Sequence, residues 1–438
     1  MNKIKHIWIL LFFYVSQPSF AQDMNFSELK EKYDFKLKEK NEGIAVLVKN
    51  KQNIGSVGIG NFQLNDNTVF NIGSATKTFT VVLLLQEVEK GNLKLSDRIG
   101  QYLDPIRNVD ENLTIESLIT HESGLDEVIG SNLTEIFDAQ SDSLYELSML
   151  HSVEKNKSEL IGEFDYCNTN YFLLGKILEK VTDRFYFDLL RERIFEPIGM
   201  KNSYPYLYKN IPNLAPPYHE GMDVSNNLDH RFYANIAFSA GSIASTLSDM
   251  EKFYTGLFET TVLLEKESVE RMMVEGNSIY GLGLFKWEVD SVSLFGHGGN
   301  NIGYSFRNAY DPASKSMYLV FANSRGIPFQ KDLTDDLLAL MQGEEVKLNN
   351  SFDLDKFKHL VGSYELKQNG MLFEFSIEDN RLYLTVPSQG IKCEMNQKNS
   401  TTIVDTQVGA NFELIEGNNE AIKFSQNGFE TQLNRVSQ

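Results

Sequence analysis

Cysteine is almost absent: the 438 residues contain two, Cys167 and Cys393. That excludes a disulfide framework, and two buried free thiols is the simplest expectation. Tryptophan also occurs only twice. Beyond the N-terminus no stretch approaches 18 uncharged apolar residues, so no later membrane span is expected. Basic residues are in deficit, 41 Lys plus Arg against 60 Asp plus Glu, for a formal charge of −19. This balance excludes a phosphate-tracking surface, so neither nucleic acid nor an anionic membrane is an expected partner. No two histidines stand at metal-ligand spacing, and neither a metal nor another cofactor is expected.

What is present is a chain 42% hydrophobic, long enough for two or three domains. It opens with Lys3 and Lys5, an apolar run from Ile7 to Val15, and small residues at Ser19 and Ala21. This reads as a signal peptide, residues 1–21, cut after Ala21. The mature protein is then secreted, with the periplasm as the expected location and no stable membrane anchor. Removing two lysines and no acid makes it more acidic still.

Two β-branched runs in Gly43–Phe62, separated by Asn-Lys-Gln-Asn, read as a hairpin. Ser74–Lys90 lacks Gly and Pro, is apolar nearly all round at its centre, and suits a buried helix closed by Gly91-Asn92. Helical segments follow at Ile115–Thr120, within Ser131–Lys155, and at Asn170–Val181, Phe187–Phe195 and Thr246–Leu257. Strand character returns at Tyr280–Val289, Val292–Gly296, Tyr304–Asp311 and Ser316–Ala322, before an amphipathic helix, Pro328–Leu340. A hairpin at one end and strands at the other imply one antiparallel sheet built from both ends of a domain, 22–342, around a helical insertion. A polar linker, 343–351, leads to eight short alternating runs in 352–438, the pattern of a small β-barrel or sandwich. The fold class is therefore α+β with an all-β C-terminal unit.

Three short motifs can carry chemistry. Ser74 and Lys77 sit at i and i+3, so the lysine nitrogen can reach the hydroxyl; a lysine desolvated by apolar neighbours can act as a base near neutral pH. The helix N-terminus adds a backbone N–H for a developing oxyanion. Ser27/Lys30 and Ser152/Lys155 have the same spacing but lack the apolar helix behind. Tyr166 and Asn168 follow in a loop entering a helix: a phenol can shuttle a proton if a nearby cation lowers its pKa, and a carboxamide can hold both a lysine and a substrate carbonyl. His297-Gly298-Gly299-Asn300 ends a strand-like run. Its glycines let a backbone edge approach an extended substrate, the Asn300 N–H can complete an oxyanion hole, and His297 can polarise the tyrosine or hold a carboxylate. Cys167, between Tyr166 and Asn168, offers a weaker nucleophile.

The ordered trio Ser74-x-x-Lys77, Tyr166-x-Asn168 and His297-Gly-Gly299 resembles the serine β-lactamase and penicillin-binding-protein-like family, which includes class C β-lactamases, DD-carboxypeptidases, esterases and D-amino-acid peptidases. Leu113–Leu125, Ser239–Phe253 and Tyr280–Phe285 extend the resemblance over roughly residues 40–340. It implies a sheet flanked by helices with a helical subdomain, and an acyl-enzyme at Ser74 with Lys77 and Tyr166 sharing proton transfer. Asn168, His297, Gly298, Gly299 and Asn300 would bind the substrate, a small peptide, amide or ester such as a peptidoglycan fragment. β-Lactamases usually carry Lys-Thr-Gly where this chain has His-Gly-Gly, which favours peptidase or esterase activity over β-lactam hydrolysis. The tail from Tyr364 resembles a lipocalin-like barrel. The alternative is a non-catalytic relative that binds cell-wall fragments or a lipophilic ligand.

Overall fold

A computed structural model describes the chain from Met24 to Val436 apart from residues 38–40, 52, 61–64, 128–156, 220, 229–231, 290, 328–329, 347–351, 379, 399, 406–409 and 427–428. The expected signal peptide, the helix expected within Ser131–Lys155 and residues 347–351 of the expected linker lie outside the described residues.

The helices that position the site are α1 (Ser27–Leu37), α2 (Thr76–Glu89), α3 (Asn168–Thr182), α4 (Leu247–Glu259) and α5 (Gln330–Gln342). The sheet joins β1 (Gly43–Lys49) and β2 (Ile54–Gly60) to β3 (Phe285–Val289), β4 (Val292–Gly296), β5 (Gly299–Asn301), β6 (Tyr304–Asp311) and β7 (Ser316–Ala322). Their order is β2-β1-β7-β6-β4-β3, with β5 also on β6. All pairings are antiparallel, and β1 sits between its hairpin partner and β7, in register Ile44↔Ala322 to Lys49↔Met317. One sheet thus closes from both ends of the sequence around a helical middle.

Helices cover both faces, and β7 (SMYLVFA) is consequently buried at every position. Leu29, Leu333 and Leu337 of α1 and α5 pack on Val46, Val320 and Ala322. On the other face α2 and α4 meet, with Phe79 stacked on Phe253 at 3.6 Å between ring centroids. A buried Phe of this kind contributes about 3–5 kcal/mol against alanine. The threonines of α2 are tolerated in the core because their hydroxyls have partners: Thr78 donates to Gly283 O at 2.8 Å and Thr80 to Ser239 O at 2.7 Å.

The strand expected over Tyr280–Val289 begins only at Phe285. Gly281 N donates to Leu284 O and Gly283 N to Gly281 O, a tight turn that leaves Tyr280 folded back toward the site. The helix expected over Phe187–Phe195 is split, α-helical at Tyr186–Leu190 and π-helical at Arg191–Phe195.

At the C-terminus eight strands, Gly362–Leu366 through Phe429–Arg435, close into a barrel by pairing the last strand with the first. Their alternation drives Phe373, Phe375, Phe412 and Phe424 inward, with ring centroids 5.3 to 5.9 Å apart. Asn396 of the barrel donates to Asp332 of α5 at 2.6 Å, and Tyr33 of α1 donates to Asp336 of α5 at 2.6 Å.

Candidate active site

Ser74 stands in a single 3₁₀ turn, Gly73–Ala75, that runs into α2. The neighbouring amides are taken, Gly73 N donating to Asn71 Oδ1 at 3.0 Å and Ala75 N to Ile72 O at 3.2 Å, which leaves the amide of Ser74 itself as the donor this turn can offer an oxyanion. The turn depends on Gly73, whose φ is +52° and whose missing Cβ would lie 3.0 Å from Asn300 N.

Lys77, one turn later, is fully buried. Its Nζ lies 3.0 Å from Ser74 Oγ, 2.7 Å from Asn168 Oδ1 and 2.9 Å from Ala240 O. Burial pushes its pKa down to about 7, while the negative charge of Glu127 pulls the other way. The partners dictate what the neutral amine does. Asn168 Oδ1 and Ala240 O can only accept, so they take its two hydrogens, and the lone pair is left facing Ser74 Oγ. Lys77 is thereby aimed to receive the serine proton.

Tyr166 places its ring 5.0 Å from Lys77 Nζ. The sequence reading allowed a nearby cation to lower its phenol pKa; burial wins instead and raises it, with a hydrogen bond to Ser74 opposing the rise. The phenol is a neutral donor. Asn168, the first residue of α3, faces Lys77 with its side chain while its N–H donates to Glu127 Oε2 at 2.5 Å. Cys167 is buried and its thiol is pushed up to about 11, chiefly by burial, which removes the thiolate a cysteine nucleophile needs.

His121 clasps this loop from below. Its carbonyl accepts from Asp165 N at 2.8 Å and its Nδ1 accepts from Cys167 N at 3.1 Å. Between these two anchors its ring lies on that of Tyr166, centroids 4.2 Å apart. It adopts φ +60°, and its Nε2 is buried with no hydrogen-bond partner among the described residues.

β5 carries Gly299 and Asn300 against the serine turn. A Cβ on Gly299 would fall 2.0 Å from Ile72 O and 2.6 Å from Ser74 N. The glycine is required by contact with the protein itself, where the sequence reading invoked a substrate. The same approach puts Asn300 N 3.0 Å from the Cβ position of Gly73, so Ser74 and Asn300 border one cleft and their amides are candidates for the pair an oxyanion needs.

His297 departs from expectation. It is buried, and its Nδ1 lies 2.7 Å from Gly298 O and its Nε2 2.9 Å from Tyr280 OH. A carbonyl only accepts, so Nδ1 carries the hydrogen and Tyr280 donates to Nε2. The neighbouring Tyr171 donates to Ile119 O at 3.0 Å. Burial and the charge of Lys77 push the His297 pKa down to about 3. The imidazole is neutral, both nitrogens are engaged, and the tyrosine it touches is Tyr280 rather than Tyr166. Its backbone N–H is held by Asn308 Oδ1 at 3.0 Å, which bridges the gap where β4 hands over to β5.

Ser74, Tyr166, His297, Gly298, Gly299 and Asn300 line one cleft of about 750 Å³. Lys77 and Asn168 lie behind it. Tyr280, Glu127, Asn308 and His121 lie outside the three motifs that the sequence singles out; the glycines punctuating Tyr280–Phe285 are the available sign that Tyr280 sits in a turn.

Residues 36–341 match the family model described as Beta-lactamase. The chain is similar to a penicillin-binding protein, PbpX, of Bacillus subtilis, 28% identical over 291 residues, covering 64% of this chain and 70% of that one. It is 30% identical over 245 residues to a D-aminopeptidase of Brucella anthropi, covering 53% of this chain and 45% of that one. The octameric penicillin-binding protein homologue of Pyrococcus abyssi has the same fold, with a TM-score of 0.63 at 22% identity over 89% of this chain and 95% of that one.

Proposed function

The chain belongs to the beta-lactamase family and is a serine hydrolase, and on that premise we propose that it cleaves amide bonds of small D-amino-acid peptides or amides through an acyl-enzyme on Ser74. Neutral Lys77 takes the Ser74 proton as Oγ attacks the carbonyl carbon, and the oxyanion forms at the Ser74 and Asn300 amides. Tyr166 gives its proton to the leaving nitrogen as the C–N bond breaks and is reprotonated from Lys77. Water then hydrolyses the ester by the reverse proton route.

The observation that carries this reading is the set of acceptors around Lys77, which leaves one direction for its lone pair. The D-aminopeptidase likeness supports an amide substrate. The neutral His297 supports it over β-lactams, because the third motif supplies no cation. We read residues 1–21 as a signal peptide, the mature protein as periplasmic, and 352–438 as a lipocalin-like domain joined through 343–351.

A fluorophosphonate should label the wild type on the peptide holding Ser74 and spare Ser74→Ala. Equal labelling of both would remove Ser74 as nucleophile. A panel of a D-amino-acid amide, a D-Ala-D-Ala peptide, a p-nitrophenyl ester and a chromogenic cephalosporin then ranks the substrates; fastest turnover of the cephalosporin would overturn the amide assignment.

A further inference from the structure

We propose that the protein carries a second binding site, a cavity lined by Tyr204, Tyr206 and Tyr208 that takes an uncharged pyranose oligosaccharide. The cavity, of about 590 Å³, shares no lining residue with the catalytic cleft among the described residues. It is built on the run 203–208, which is held by Tyr204 N donating to Ala244 O at 2.8 Å and Leu207 N to Ser242 O at 3.0 Å. Along this extended run the side chains alternate. Pro205 and Leu207 are buried, so the three tyrosines come out together on the cavity side, each half-buried.

The rings are fixed from behind. Tyr206 is backed by Phe187, ring centroids 5.0 Å apart, and Phe187 in turn by Phe238 at 5.5 Å. Tyr208 meets Tyr204 at 85° and Tyr206 at 56°, with centroids 5.9 and 6.0 Å away. No two of the three are stacked, so the wall presents aromatic surface at three inclinations. None of their hydroxyls has a hydrogen-bond partner in the protein among the described residues, which leaves three phenols for solvent or a ligand. A pyranose answers both halves of this surface. Its C–H face is attracted to the negative face of a phenol ring, and its hydroxyls can pair with the phenol oxygens at the rim.

The charges around the cavity point to a neutral ligand. Arg191 is already paired with Asp188 at 3.0 Å, and Glu196 and Lys201 oppose one another in sign. A quaternary ammonium, the other ligand that an aromatic cage attracts, would meet two cations here, and a polyanion would approach a chain of formal charge −19. Residues 242–245 separate the cavity from the nucleophile. They hold the tyrosine run on one side, and Ala244–Ser245 pairs with Phe70–Asn71, just before the serine turn, on the other. A sugar chain can therefore be held while Ser74 stays open to its own substrate, and the site serves to tether the protein to a polysaccharide.

The test titrates the full chain with two neutral β-linked tetrasaccharides, cellotetraose and tetra-N-acetylchitotetraose, by calorimetry and by melting temperature. At least one should bind saturably, and Ser74→Ala should bind it equally, which separates this site from the hydrolase reading. Tyr206→Ala and Tyr208→Ala should each weaken binding about three- to tenfold, the loss of one aromatic contact. The triple variant Tyr204→Phe, Tyr206→Phe, Tyr208→Phe keeps the packing and drops the hydroxyls; it should melt like the wild type and bind about tenfold more weakly or worse. Binding of neither tetrasaccharide, or binding unchanged in the alanine variants or in the triple variant, would overturn the proposal. So would loss of binding in Ser74→Ala, which would place the sugar in the catalytic cleft, and so would tighter binding of choline or of a proline- and tyrosine-rich peptide than of either sugar.

Discussion

Gly299 and Ser74 are in contact with no space for a side chain between them, since a Cβ on the glycine would lie 2.6 Å from the serine nitrogen. Gly299→Ala must therefore push β5 away from the serine turn. The expected outcome is loss of acylation by about 10²-fold or more, as for removal of an oxyanion donor, with a stability cost of about 1–3 kcal/mol. Fluorophosphonate labelling rate and urea denaturation measure the two. Unchanged labelling would take Asn300 out of the oxyanion site.

Lys77 sets the pH dependence. With its pKa pushed to about 7, the neutral amine accumulates as pH rises, so kcat/KM should climb through an acid limb near pH 7. An apparent pKa near the usual lysine value would exclude Lys77 as the base. Stability moves in the same sense. The folded value lies below the unfolded one, so between about 7 and 10.5 the unfolded chain holds the extra proton, folding releases it, and stability rises with pH. Urea midpoints of the wild type minus those of Lys77→Met should increase across that window.

Tyr166 acts as a donor whose phenol stays protonated. Tyr166→Phe should lower kcat by about 10²-fold or more, the usual range for a lost general acid, while leaving the acid limb where Lys77 put it. A pH–rate profile decides. Movement of the limb in Tyr166→Phe would mean that the phenol, not the amine, is the titrating base.

His121 holds Tyr166 by the two amides on either side of it. His121→Phe keeps a ring to stack but orphans Cys167 N–H, a loss of about 1–3 kcal/mol for a buried donor. It should lower kcat more than it raises KM. His121→Asn restores an acceptor and tolerates the left-handed backbone, and should recover part of kcat. If the phenylalanine variant turned over like the wild type, His121 would be a packing residue only.

The parts legible in the sequence are those encoded locally. Ser74 and Lys77 are one helical turn apart, Tyr166 and Asn168 share one loop, and His297 to Asn300 form one strand end; each group is visible as spacing. The sheet was legible because hydrophobic alternation names strands at both ends of the domain, and the barrel because its eight runs alternate inward and outward. Relations across the fold were not. His121 meets the Tyr166 loop, and Tyr280 meets His297, only after α3 and the turn at Gly281–Gly283 have formed. The expectation for the Tyr166 phenol failed because spacing says nothing about desolvation, which here outweighs the nearby cation.

The wall made by Tyr171, Tyr280 and His297 acts as an insulator. Each group has one transferable hydrogen, given respectively to the Ile119 carbonyl, to His297 and to the Gly298 carbonyl. The two carbonyls are dead ends for a proton. The imidazole accepts one only near pH 3, so at working pH no vacancy opens along this wall. In the proposed mechanism a proton lifted from Ser74 is shared among Lys77, Tyr166 and the substrate, and this wall, among the described residues, offers it no further acceptor.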